Sequence, residues 1–182
     1  MKSLVMFSII CALLPACAKA QQVDNTPIGN LDLEKYLGNW YEIARFDHSF
    51  ERGMECTQAM YSLNSDNTVR VANTGWKDGV FKTSIGKAFQ PRPVEDPALL
   101  RVSFFGPFYS DYRVMMLDPE YKYSLVGSGS AKYLWILSRE PSVPQDVMKA
   151  MLDNAKSRGY DTTKLIWVSQ ESTIPDEEGF EF

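Results

Sequence analysis

Between Trp40 and Arg139 the chain reads as eight short strand-like runs, most separated by only a few residues. They cover residues 40–46, 57–63, 68–76, 80–90, 99–105, 109–117, 121–127 and 132–139. Each has strand length and a composition rich in β-branched and aromatic residues. The joints carry turn chemistry, in Asn64-Ser65-Asp66-Asn67, Asp78-Gly79 and Gly106-Pro107. Parallel neighbours need long crossovers, so short joints impose antiparallel pairing. The expected fold is all-β: an eight-stranded antiparallel up-and-down barrel, just wide enough to hold one small ligand.

The first and last of these runs, Trp40-Tyr41-Glu42-Ile43-Ala44-Arg45 and Tyr133 to Arg139, should meet and close the barrel. A short helical turn over 32–37 precedes the first. Arg139 can then lie against the Trp40 indole at a desolvated floor, a contact worth ~1–2 kcal/mol. A barrel floored at one end and open at the other is a cup. After residue 139 the period changes. Ser142-Val143-Pro144-Gln145 reads as a capping box. Val147, Met148, Met151, Leu152 and Ala155 follow at helical spacing on one face, and Gly159 suits the C-cap. The single apolar stripe predicts a helix packed on the barrel's outer wall. Residues 165–168 predict a short ninth strand at the barrel's edge.

Residues 1–20 read as a secretory signal: Lys2 precedes an apolar run at 4–14 that is too short to span a bilayer. Two cleavage readings stand. Ala18-Lys19-Ala20 suits cleavage before Gln21, whereas Leu14-Pro15-Ala16-Cys17 resembles a bacterial lipobox that would lipidate Cys17 and attach the chain to a membrane. Residues 21–30 form an extended lead-in, 31–170 the single domain, and 171–182 an acidic tail with a disordered composition.

Without residues 1–20, the 19 basic residues fall to 17, because Lys2 and Lys19 are lost, against 23 acids: a net charge of −6. That argues against nucleic acid as a partner, and against simple electrostatic binding to anionic lipid. Cys56 is the one cysteine clear of the signal, so no intramolecular disulfide is expected. No metal or redox motif is present and His48 is the single histidine, so neither a metal nor a cofactor is expected.

Three motifs in order resemble the lipocalin family: Gly38-x-Trp40 after a short helical turn, Ser110-Asp111-Tyr112-Arg113, and Arg139 at the end of the eighth strand. The wider runs Tyr61-Ser62-Leu63 and Val102-Ser103-Phe104-Phe105-Gly106-Pro107-Phe108 are similar to its bacterial outer-membrane branch. Plant temperature-induced lipocalins and apolipoprotein D are similar at greater distance. The resemblance spans roughly residues 30–170. It implies that Gly38, Trp40, Asp111, Tyr112 and Arg139 are structural signatures, and that Tyr61, Asn73, Phe104 and Tyr112 line a ligand cavity. Alternation along the strands adds Ala59, Val71, Val102, Val114 and Met116 to that face, with Glu42 and Ala44 above Trp40, and Leu137 and Trp135 above Arg139. Tyr61, Tyr112 and Asn73 are candidates to hydrogen-bond a ligand head group.

The resemblance further implies a binding protein and no enzyme. Its ligand would be a fatty acid or lysophospholipid, held for storage, transport or repair in the periplasm or outer membrane of a Gram-negative-type bacterium. Apolipoprotein D has a disulfide cysteine at the position matching Cys56, and its partner is missing here. Three other readings stand beside this one. Cys56 with His48 as base would make a lipocalin-fold enzyme. The barrel could instead take haem or another hydrophobic ligand. A barrel filled by its own side chains would serve a structural or interaction role. The 47–55 loop, carrying His48 and Phe50, is a candidate lid.

Overall fold

The computed structural model describes residues 22–171. The predicted signal and nearly all of the acidic tail lie outside them. A short helix α1 (Leu33–Tyr36) leads into β1 (Gly38–Phe46), β2 (Glu55–Leu63), β3 (Val69–Lys77), β4 (Val80–Phe89), β5 (Leu99–Phe105), β6 (Phe108–Leu117), β7 (Tyr123–Gly127) and β8 (Leu134–Ser138). Helix α2 (Gln145–Ser157), a 3-10 turn at Thr162–Lys164 and β9 (Leu165–Trp167) follow. Each strand pairs antiparallel with the next, and β1 pairs with both β2 and β8, which closes the barrel. The ninth strand takes the other half of β1, Ala44–Phe46, where β1 has parted from β2.

Two apolar clusters sit on opposite sides of the barrel wall. The inner one gathers Trp40, Tyr61, Val71, Leu100, Val114 and Leu137. The outer one packs Ile43, Ala44, Met115, Leu125 and Ile136 against Met151 and Ala155 of α2. The helix therefore lies outside the barrel, as its single stripe requires. Its start differs from the expected capping box. Pro144 is the N-cap, with extended backbone and no side-chain cap, and the Ser142 carbonyl accepts instead from the Ser138 hydroxyl. The C-terminus is as read: Gly159 has φ +88°, its N–H reaches the Lys156 carbonyl, and that of Tyr160 reaches Ala155. That pair of bonds is a Schellman ending.

Four pairings carry a register shift, and two of these displace residues expected to face the cup. Between Glu42 and Ala44 the β1–β8 register slips, so Ile43 and Ala44 both face the outer cluster. Ala44 is thus outside the cup, and Arg45 turns toward Glu42 instead. Between Val114 and Met116 the β6–β7 register slips in the same way. Met115 and Met116 both pack outside, and Leu117 returns to the inner cluster. An extra residue re-phases everything beyond it, and a bend in a closing barrel wall is where one is accommodated.

Candidate functional site

The barrel encloses a cavity of about 810 Å³, open at one end and mainly apolar, within the range of small-molecule sites. Its floor is built from three of the signature residues, Gly38, Trp40 and Arg139. The Trp40 indole is fully buried and donates to the Tyr36 carbonyl at 2.9 Å. The Arg139 guanidinium lies 3.8 Å from its ring centre. Arg139 also donates to the carbonyls of Lys35, Tyr36 and Leu37, the groups that the end of α1 leaves unpaired. Gly38 has φ +92°, and a Cβ there would stand 3.3 Å from the Arg139 Nη1. A side chain at this position would meet both backbone strain and the guanidinium. Asp111 stands apart from this floor: it pairs with Arg113 of its own strand β6 at 2.8 Å and with Arg101 of β5 at 3.5 Å, toward the β5–β6 turn.

Above the floor, Tyr36, Tyr61 and Tyr112 share their hydroxyls. The Tyr112 oxygen lies 2.7 Å from that of Tyr36 and 3.1 Å from that of Tyr61. Burial pushes the Tyr36 phenol up to about 12, and raises those of Tyr61 and Tyr112 as well. The phenols are neutral at physiological pH, and they satisfy one another. Asn73 differs: its Oδ1 is buried with no hydrogen-bond partner among the described residues, as is the Ser103 Oγ, and both residues border the cavity. Buried polar atoms of this kind are rare in a finished core.

Near the mouth the first bulge brings in charge. Arg45 Nη1 lies 2.5 Å from Glu42 Oε1, which also accepts from the Thr57 hydroxyl. Its Nη2 donates to the carbonyls of Glu51 and Met54, holding the 47–54 loop across the cup. Burial pushes the Glu42 carboxyl up to about 8, with repulsion from Glu51 adding to it and Arg45 pulling it back. Burial also raises Glu51, but the contact and charge of His48, the Trp135 indole and Arg45 outweigh it, and its carboxyl falls below the ordinary value. His48 Nε2 is 2.9 Å from Glu51 Oε2, a close contact without hydrogen-bond alignment. The His48 ring stacks on Phe50 at 3.9 Å and tilts against Tyr133 and Trp135.

Of the residues expected to line the cup, Ala59, Tyr61, Val71, Asn73, Val102, Phe104, Tyr112 and Trp135 border the cavity. Leu137 and Glu42 border it too. Val114 is fully buried within the inner cluster and does not border the space. Met116 is outside, carried there by the second bulge. Trp135 pairs with Arg45 and so stands near the mouth, because β8 starts at Leu134 and not at residue 132. Arg45, Glu51 and Ser103 were not foreseen, since each depends on a bulge or on the course of a loop. Cys56 does not border the cavity, and burial and the Glu55 charge raise its thiol. His48 contacts Glu51 and the rings of Phe50, Tyr133 and Trp135. Among the described residues no group of three or more His, Cys, Asp or Glu gathers to hold a metal, and no helix is long and apolar enough to cross a bilayer.

Known proteins place these features. The family described as a lipocalin-like domain matches residues 31–170. The chain is 49% identical over 148 residues to the outer membrane lipoprotein Blc of Escherichia coli K12, covering 80% of this chain and 82% of that protein. It is 37% identical over 158 residues to temperature-induced lipocalin-1 of Arabidopsis thaliana, covering 82% and 84%. Insecticyanin of the tobacco hornworm, Manduca sexta, superimposes with a TM-score of 0.68 at 20% identity, over 82% of this chain and 86% of that one, a likeness of fold. With its closed antiparallel barrel, its signature floor and these relatives, the chain belongs to the lipocalin family.

Proposed function

We propose that the protein binds amphipathic lipids, fatty acids or lysophospholipids, in the barrel cavity and carries or stores them in the envelope of a Gram-negative-type bacterium. The observation that carries this reading is an open cup of about 810 Å³ walled mostly by apolar side chains, with its charged groups near the mouth. An acyl chain lies against the walls, and the polar head stays near the mouth, because burying an unpaired charge is costly. Asn73 and Ser103 offer acceptor oxygens without partners and take over the role first expected of Tyr61 and Tyr112. The relatives named outer membrane lipoprotein support the envelope, and with Leu14-Pro15-Ala16-Cys17 they support a lipidated Cys17. The outward placement of Cys56 supports a binding protein over an enzyme.

The test is fluorescence. Trp135 borders the cavity, whereas Trp167 is 56% exposed on β9. A C16–C18 fatty acid or lysophospholipid should give a saturable change that Trp135→Leu loses and Trp167→Leu keeps. A sixteen-carbon chain buried at ~0.8 kcal/mol per methylene, less the cost of association, permits micromolar or tighter binding. A four-carbon acid lacks the apolar surface and should not bind. Equal binding of both lengths, or of neither, would leave the cup without its lipid.

A further inference from the structure

The rim of the cup is apolar. Phe105 and Phe108 flank the β5–β6 turn and are 81% and 79% exposed. Val80 and Phe81 open β4 at 50% and 45%, and Phe50 in the 47–54 loop is 56% exposed. The antiparallel register puts all of these tips at one end of the barrel, opposite the Trp40–Arg139 floor. Large apolar side chains gathered in water mark an interaction surface.

Two observations say what that surface meets. Phe50, Phe105 and Phe108 also border the cavity, so the exposed apolar surface runs without a break into the cup. Lys77 and Lys82 border the same opening and have no ion-pair partner among the described residues, in a chain whose acids outnumber its bases. An apolar ring beside free cations, around an apolar channel, complements a surface with anionic head groups over hydrocarbon. We propose that the rim is a docking surface for an anionic lipid bilayer. Phe50, Val80, Phe81, Phe105 and Phe108 enter the boundary between head groups and acyl chains, and Lys77 and Lys82 meet phosphates. A lipid then moves between bilayer and cavity without crossing water. This rests on the lipid-binding reading of the cavity.

The experiment is flotation of the full chain carrying Cys17→Ser, so that no covalent anchor contributes, with phosphatidylglycerol or phosphatidylcholine vesicles. The protein should float with the anionic vesicles. Binding should weaken about tenfold or more on phosphatidylcholine or in about 0.5 M salt. Val80→Ser with Phe81→Ser changes the rim without touching the cavity lining. It should weaken flotation about tenfold or more, while a C16 fatty acid in solution binds as before. Val80→Asp alone, at an exposed strand end, serves in its place if circular dichroism shows the double variant unfolded. A parent that stays unbound to anionic vesicles, or a rim variant that floats like the parent, overturns the proposal. So does a parent that is a dimer in solution and becomes a monomer in the rim variant, because a second copy then covers the rim. Flotation by a parent that binds no fatty acid upholds the docking surface and sinks the lipid reading of the cavity.

Discussion

Glu42 and Arg45 stand on the same side of the wall although their positions differ by three, an odd spacing that regular alternation forbids. The bulge between them resolves this, and it leaves a carboxyl and a guanidinium buried together beside an apolar space. Removing either partner of such a pair strands the other. The Glu42 carboxyl, raised to about 8 against an unfolded value near 4.5, holds its proton more tightly in the folded protein. Between these values the native state binds more protons than the unfolded one, so this group lowers stability as pH rises from about 4.5 to 8. Glu42→Gln removes that dependence. The stability of the parent relative to the variant should be highest at acid pH and fall steadily toward pH ~8, as read by melting temperatures of both proteins across the window. A constant difference would mean that the carboxyl is ionised throughout.

At the scale of elements, α2 is held by the barrel and not by its own ends. It lacks a side-chain N-cap, and its Schellman ending satisfies only the last carbonyls. Its stability comes from Met151 and Ala155, both fully buried on the outer face of the sheet. Truncating a buried Met costs ~2–5 kcal/mol. Met151→Ala should therefore lower the melting temperature markedly. The folded fraction should keep its affinity for a long-chain fatty acid, because the barrel wall separates Met151 from the cavity. A loss of affinity matching the loss of stability would show that helix and cup are coupled.

For the whole molecule, the floor and the mouth divide the work. Signature residues close one end with Arg139 across the carbonyls of α1, and the loop held by Arg45 partly covers the other. Such a cup can act in solution or at a membrane, and Cys17 discriminates between them. The exported parent should fractionate with membranes and Cys17→Ser with the soluble material. Intact mass should show a diacylated Cys17 in the parent. A parent already soluble, with Gln21 at its start, would make the protein a free carrier.

Eight strands, their antiparallel order, the outer helix and the aromatic floor were all legible along the chain, because each rests on a local period or a local turn. Alternation named Ala59, Val71 and Val102 correctly, since β2, β3 and most of β5 keep a period of two where those residues lie. It misplaced Ala44 and Met116, because a bulge leaves the composition of a strand unchanged. Whether the extra residue is accommodated depends on what both faces of the sheet pack against, which is non-local. The same holds for Arg45, Glu51 and Ser103 at the site. The sequence by itself determined that this chain closes into a cup. The tertiary structure decided which charges face inward, which polar atoms are left for a ligand, and how the 47–54 loop lies over the opening, because bulges and loops answer to packing across the barrel.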